Sequence, residues 1–200
     1  VIRIIAGEFR GRRLAVGPGV RPTTERAREA LFSIVGGGVR GSRVLDAAAG
    51  SGALGFEALS RGARDVHFVE ADRRVARVLD TNASVLGVKD RVRVAVRSVA
   101  TYLRLDRPEG FDLVFFDPPW ADPVVGEMEG LWSTLAGGGT FVVERGNGED
   151  PWPGTPVAPE VRKYGTTILF FYRRSRPETA SAGEPEGGTA EVIDPPAAAK

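Results

Sequence analysis

Val44-Leu45-Asp46-Ala47-Ala48-Ala49-Gly50-Ser51-Gly52-Ala53-Leu54-Gly55 runs from an apolar start through a glycine-rich turn and back to apolar residues. Val44-Leu45 reads as a short strand, Gly50 to Gly55 as a turn matching G-x-G-x-x-G, and the continuation through Phe56-Glu57-Ala58-Leu59 as a helix. Glycine permits the tight turn and lets a ligand approach the backbone. The pattern alone also describes NAD- and FAD-binding units. Asp46 narrows the choice. A carboxylate at the strand end suits a cationic or hydroxyl-bearing ligand, whereas a dinucleotide needs the helix N-terminus free for its pyrophosphate. S-adenosylmethionine has an ammonium, a sulfonium and no phosphate. Glu70, ending the next apolar run, is placed to accept ribose hydroxyls, a feature NAD sites share; helix capping at strand ends is the structural alternative for both acids.

Strands and helices alternate on either side of this loop. Val66–Val69, Val92–Val96, Leu113–Phe116 and Thr140–Glu144 read as further strands. Helices are expected over Arg73–Leu86, near Val99–Leu103 and around Val124–Leu135. Helices of this length between strands imply right-handed crossovers and an α/β fold with a mostly parallel sheet covered on both faces. The end breaks the rhythm: Val161–Tyr164 and Thr167–Tyr172 read as an antiparallel pair closing one edge. Upstream, Val1–Ile5 and Arg13–Val16 form a predicted hairpin with Arg10, Arg12 and Arg13 near its tip. Thr23 or Thr24 then caps a helix carrying Ala27, Ala30, Leu31 and Ile34 at helical spacing.

The 200 residues suffice for one substantial domain with a small appendage. The expected division is a basic hairpin-and-helix extension over 1–40, a catalytic domain over 41–174, and an acidic, disordered tail over 175–200. No cysteine and one histidine, His67, argue against a disulfide framework, a Cys- or His-based metal cluster and a Ser-His triad. No run reaches a membrane span and no signal peptide is evident, so no membrane partner and a cytoplasmic place are expected, with the chain a monomer. Net charge is only +1, but residues 1–43 hold nine Arg against three Glu, which points that end toward a polyanion. Arg10, Arg12, Arg13, Arg21, Arg26 and Arg28 are the phosphate-gripping candidates, with Thr23 and Lys163 as further contacts to such a partner. Pairing of some arginines with Glu25 or Glu29 is the alternative. His67, Trp132 and Trp152 read as packing residues.

Asp117-Pro118-Pro119-Trp120 follows the apolar Leu113–Phe116 run and supplies the chemistry. It delivers a carboxylate, a rigid turn and an aromatic face to the carboxyl end of a strand, where open α/β sheets bind ligands. Asp117 and the Pro118 carbonyl can accept hydrogen bonds from an amine, and Trp120 can stack on a planar base. A plain turn is the structural alternative. Beside the glycine loop, the set reads as methyl transfer to an amine. Asp46, Gly50, Gly52 and Glu70 are then the cofactor residues read from the chain. The catalytic set is Asp117, Pro118, Pro119 and Trp120, with no metal.

The chain resembles the bacterial 16S rRNA guanine-N2 methyltransferases of the RsmD family over roughly residues 2–172. The resemblance lies in Arg3-Ile4-Ile5-Ala6-Gly7 with Arg10-Gly11-Arg12-Arg13-Leu14, in Arg21-Pro22-Thr23-Thr24-Glu25-Arg26 running into Arg28-Glu29-Ala30-Leu31-Phe32, and in the glycine loop continuing to Glu57-Ala58-Leu59-Ser60-Arg61-Gly62-Ala63. It implies a class I methyltransferase fold, a Rossmann-like seven-stranded sheet with an N-terminal hairpin and helix. It also implies S-adenosylmethionine as cofactor, with Ala48, Ser51, Ala71, Ser98, Val99 and Asp117 joining Asp46, Gly50, Gly52 and Glu70 around it, and one guanine of 16S rRNA, in an assembling 30S subunit, as substrate. Relatives carry Phe or Tyr where Trp120 stands, and Asp or Asn near Ser98 to hold the adenine amine. Methylation of adenine N6 or of a protein glutamine amide, and a non-catalytic RNA-binding assembly factor, are the competing readings.

Overall fold

A computed structural model describes residues 1–20, 23–106, 109–118, 125–146 and 151–176. Arg21, Pro119, Trp120 and the tail beyond residue 176 lie outside them.

Two short strands open the chain, β1 (Ile2–Arg3) and β2 (Arg13–Leu14), paired antiparallel as the expected hairpin. Helix α1 (Glu25–Val35) follows, and Thr24 is its cap: the hydroxyl accepts from Ala27 N. Then come β3 (Arg43–Ala47), α2 (Ala53–Ser60), β4 (Asp65–Glu70), α3 (Arg73–Leu86), β5 (Val92–Val96), α4 (Val99–Asp106), β6 (Phe111–Phe116), α5 (Val125–Thr134), β7 (Leu135–Arg145), β8 (Glu160–Tyr164) and β9 (Thr167–Arg173). Seven strands form one sheet in the order β5-β4-β3-β6-β7-β9-β8. It is parallel except for β9, which runs antiparallel to both β7 and β8. This is the expected architecture. Strand β7 begins earlier than Thr140, because Gly137–Gly139 give no strand signal in sequence while the backbone still pairs there, with a register shift opposite Phe111 and Leu113.

Alternation along the strands builds two cores. Val44, Phe68, Leu113, Phe115, Val142 and Phe171 face α1, α2 and α3, while Leu45, Val69, Val114, Phe141, Val143 and Tyr172 face α4 and α5. Every residue of α2 is buried, as suits a helix apolar nearly all round. Trp132 and Trp152 meet edge to face at 5.9 Å in the second core. The edge strand β8 exposes Arg162 and Lys163, charges that discourage edge-to-edge pairing.

The first forty residues pack into the first core through Ile2, Ile4, Phe9, Leu14, Leu31 and Phe32. The hairpin turn covers the C-terminus of α2: Glu8 N donates to Ser60 O, and Phe9 N to Ser60 Oγ, so one carbonyl left unpaired at the helix end and the last side chain both find partners. Gly7, at φ +84°, admits this approach; a Cβ there would lie 1.8 Å from Ser60 O. From the hairpin the chain climbs along α3. Ala15 pairs with Asn82 through both its N–H and its carbonyl, and Gly17 packs on Val75. It arrives at the carboxyl edge of the sheet, where Val20 lies beside Gly50.

Candidate active site

Strand order reverses between β3 and β6, and a crevice of about 880 Å³ opens outside their carboxyl ends. Asp46, Glu70, Asp117 and Glu144 reach it from β3, β4, the end of β6 and β7, and Glu127 from α5, against Arg97 as the basic side chain in the lining. Such a lining favours a cationic ligand and opposes a pyrophosphate.

Asp46 is buried, and its Oδ2 accepts from Gly55 N in the first turn of α2 at 2.9 Å. The helix N-terminus that would otherwise meet a phosphate is thus already matched to a carboxylate. Burial pushes the Asp46 carboxyl up to about 8, with Glu70 adding and the Gly55 bond opposing. Glu70 Oε2 accepts from Gly50 N and Oε1 from Asp72 N, both within 2.9 Å, so it holds the glycine loop against the start of α3. Ala48 at φ +59° and Gly50 at φ +51° bend this loop around the crevice. Both strand-end acids therefore brace helix starts and also line the site.

Asp117 accepts from the Thr23 hydroxyl at 3.3 Å. Burial first, then the Glu144 and Asp46 carboxylates, raise its carboxyl well above the usual range. Glu144 is raised too, chiefly by burial, and the Thr23 and Thr167 hydroxyls oppose the shift in part. Pro118 lines the crevice beside Asp117. Among the described residues, no three acidic or histidine side chains are grouped so as to hold a metal ion.

A family model described as Conserved hypothetical protein 95 matches residues 2–173. The chain belongs to this family. It is 43% identical over 123 residues to the Ribosomal RNA small subunit methyltransferase D of Haemophilus influenzae and 42% identical over 121 residues to that of Escherichia coli K12. Those matches cover 60% of this chain and 64% and 60% of the relatives, so the chain spans under two thirds of their length. Among solved structures it is similar to an Escherichia coli protein named "Putative methyltransferase yhhF", with TM-score 0.76, 34% identity, and 88% of this chain and 99% of that one covered. A hypothetical protein of Thermus thermophilus gives TM-score 0.74 and 32% identity, with 86% and 98% covered. These likenesses fix the fold as the class I methyltransferase sheet with its N-terminal hairpin and helix.

Within this Conserved hypothetical protein 95 chain, the crevice gathers Asp46, Ala48, Gly50, Ser51, Glu70, Ala71, Ser98, Val99, Asp117 and Pro118 from the sequence-derived set. Gly52 stands outside the lining. It turns the loop at φ +72° and packs inward, where a Cβ would lie 2.6 Å from Leu79 Cδ2 and 2.7 Å from Phe56. The Ser98 hydroxyl accepts from Thr101 N and donates to Thr101 Oγ1, so it braces the first turn of α4.

The basic residues divide differently from the sequence expectation. Arg28 is 1% exposed. It donates to Arg3 O and faces Glu57 at 3.9 Å, so burial removes it from the RNA-contacting set. Thr23 is buried in the crevice lining, where it donates to Asp117, and does not stand on an outer surface. Arg12 donates to Val85 O near the C-terminal end of α3. That end lies about 15 Å, ten residues of helix, from Val75 in the first turn of α3. Arg10, Arg12 and Arg13 are exposed but occupy this far end of the molecule, away from the crevice. Arg26, exposed in the first turn of α1, and Lys163, near the crevice end of β8, stand closer.

Sequence reading missed Val20, Thr167 and Glu144, all in the lining. For Glu144 the signal was present: Val142-Val143-Glu144 is a fourth apolar run ending in an acid, like those ending in Asp46, Glu70 and Asp117.

Proposed function

We propose that this chain transfers a methyl group from S-adenosylmethionine to the exocyclic N2 amine of a guanine in the 16S rRNA of the small ribosomal subunit. The observation that carries the reading is the acidic crevice at the strand-order reversal, whose neighbouring helix N-terminus is already bound by Asp46. The residues fit such a cofactor. Asp46 and Glu70 provide negative charge for an ammonium and acceptors for hydroxyls, and Ala71, Ser98 and Val99 line the same recess. When bound, S-adenosylmethionine supplies an electrophilic methyl group on a sulfonium centre.

The guanine amine is a weak nucleophile because its lone pair is delocalised into the ring. Asp117 accepts a hydrogen bond from that amine and favours its tetrahedral form, and the Pro118 carbonyl accepts a second. Orientation by these acceptors lowers the barrier, since fixing reactants in place removes much of its entropic part. The displaced proton goes to Asp117 or to water. Trp120 stacks on the base, worth roughly 1–3 kcal/mol. Entry of the base requires that it leave its stack, and of the basic residues singled out in the sequence Arg26 and Lys163 are the described ones nearest the crevice, where they steady phosphates. Arg10, Arg12 and Arg13 meet phosphates farther along a large RNA. The ribosomal substrate is supported by the names of the two curated relatives. The reading places the enzyme in the cytoplasm as a monomer; none of the described helices is long and apolar enough to cross a membrane.

Labelled methyl transfer to 30S particles, free 16S rRNA and a protein extract, followed by nucleoside mass analysis, tests this. N2-methylguanosine at one rRNA position is expected. Label confined to adenine or to protein refutes the guanine reading, and absence of cofactor binding in calorimetry favours a non-catalytic RNA-binding factor.

A further inference from the structure

Four parallel strands bring an acid to the crevice, and each of the four has a hydrogen-bond partner. Asp46 meets Gly55 N, Glu70 meets Gly50 N and Asp72 N, and Asp117 meets Thr23 Oγ1. Glu144 differs. It is 5% exposed and lines the crevice; the Thr23 and Thr167 hydroxyls bond its carboxylate, but its Oε2 is buried with no hydrogen-bond partner among the described residues. A buried acceptor left unsatisfied is costly, and such atoms in folded proteins call for a functional account. Thr23 lies against both Glu144 and Asp117, so the two carboxylates stand side by side.

Two adjacent acceptors suit two adjacent donors. Along its pairing edge guanine presents the N1–H next to the N2 amine. Adenine presents a ring-nitrogen acceptor next to its amine, and so does cytosine. We propose that Glu144 selects the base: its free Oε2 accepts the N1–H of the guanine whose exocyclic amine is held by Asp117. This rests on the methyl-transfer reading above. Adenine in the same pose sets its ring nitrogen against the Glu144 carboxylate, acceptor against acceptor, and is rejected.

The charged groups facing Asp117, the partner carboxylate of Glu144, are Asp46 from β3 and Arg145 from β7; the Thr23 and Thr167 hydroxyls bond Glu144. Two buried carboxylates this close do not both ionise readily. The free enzyme therefore retains a proton, which passes to solvent as the guanine N–H groups take its place, and the two ionised carboxylates then act only as acceptors.

The test is Glu144→Gln, compared with wild type in single-turnover methyl transfer to 30S particles between pH 5.5 and 9. Cofactor affinity is measured by calorimetry and folding by thermal melting. The amide keeps the shape but removes the charge beside Asp117. The plateau of kcat/KM is expected to fall about tenfold to a hundredfold, the loss of one hydrogen bond to a charged group. The acid limb is expected to move to lower pH, because Asp117 no longer faces a neighbouring negative charge. Cofactor affinity should stay within about twofold on this reasoning. An unchanged plateau with an unmoved acid limb overturns the proposal. So does equal loss of cofactor binding, which would make Glu144 a brace of the crevice. A wild-type enzyme that methylates no guanine sinks the functional reading itself, before any variant is made.

Discussion

Replacing Glu57 by alanine should destabilise the protein more than any change at the crevice. Glu57 is 1% exposed in the middle of α2. Its oxygens accept from Ile5 N at 2.8 Å, Ala6 N at 3.0 Å and Arg61 Nε at 2.8 Å, and they face the buried Arg28 guanidinium at 3.9 Å. Alanine strands two backbone amides and leaves Arg28 with the Arg3 carbonyl as its polar partner among the described residues. Removing one member of a buried ion pair costs about 3–5 kcal/mol, and each stranded donor about 1–3 kcal/mol. The terms overlap, so about 5 kcal/mol is expected. For a chain of this size each kcal/mol lowers Tm by about 2–4 °C, so the loss is roughly 10–20 °C. Arg28→Met should be milder, about 1–2 kcal/mol, because Glu57 then keeps Arg61 and both amides. Urea unfolding followed by circular dichroism measures both. A cost below about 2 kcal/mol for Glu57→Ala, or an equal cost for Arg28→Met, would refute Glu57 as the hub that fastens the first strand to α2.

Asp117→Ala should lower methyl transfer at least about a hundredfold while calorimetry finds cofactor affinity nearly intact; parallel loss of both contradicts the role given to Asp117. Asp46, held at about 8 in the free protein by burial, should ionise when a cationic ligand binds. Cofactor affinity then rises between about pH 6 and 8 with proton release, read by calorimetry in buffers of different ionisation heat; a flat profile refutes it. For folding, the same raised carboxyl contributes stability that is fully present below its ordinary 3.8 and lost as pH rises through about 8. His67 is lowered to about 4, by burial first and then by Arg43, with Asp65 opposing. Its share of stability is present above its ordinary 6.5 and lost as pH falls toward 4. The single imidazole resonance should show no midpoint above about pH 5 in a nuclear magnetic resonance titration, and a midpoint near 6.5 contradicts its burial against Phe111.

Much of the fold was legible because local signals agreed with the tertiary outcome. Helix α3 matches its expected Arg73–Leu86 span, with Asp72 capping its start and Gly87 ending it in the left-handed region. The crevice was legible where acids end apolar strands. The division of the arginines was not. Arg10, Arg12, Arg13 and Arg26 are equivalent as sequence, and only the climb of Ala15 to Val20 along α3 puts three of them at one end and the fourth at the other. Arg28 could have been placed: four residues before Phe32 and seven before Val35, it shares their inward helical face. Charge overrode periodicity in that reading, and the structure reverses the priority by giving the guanidinium a buried carboxylate.

The climbing segment also bears on how this protein can be cut or recombined. Composition draws a boundary near residue 40, and a chain starting there would keep all seven strands of the large sheet and the glycine loop. It would lack Val20 against Gly50 and the Thr23 hydroxyl shared by Asp117 and Glu144. It would also bare the Ser60 carbonyl at the end of α2 that the hairpin turn covers. The unit that can be grafted or exchanged between relatives is therefore hairpin, helix and sheet together, because the first forty residues form one wall of the pocket rather than an accessory to it.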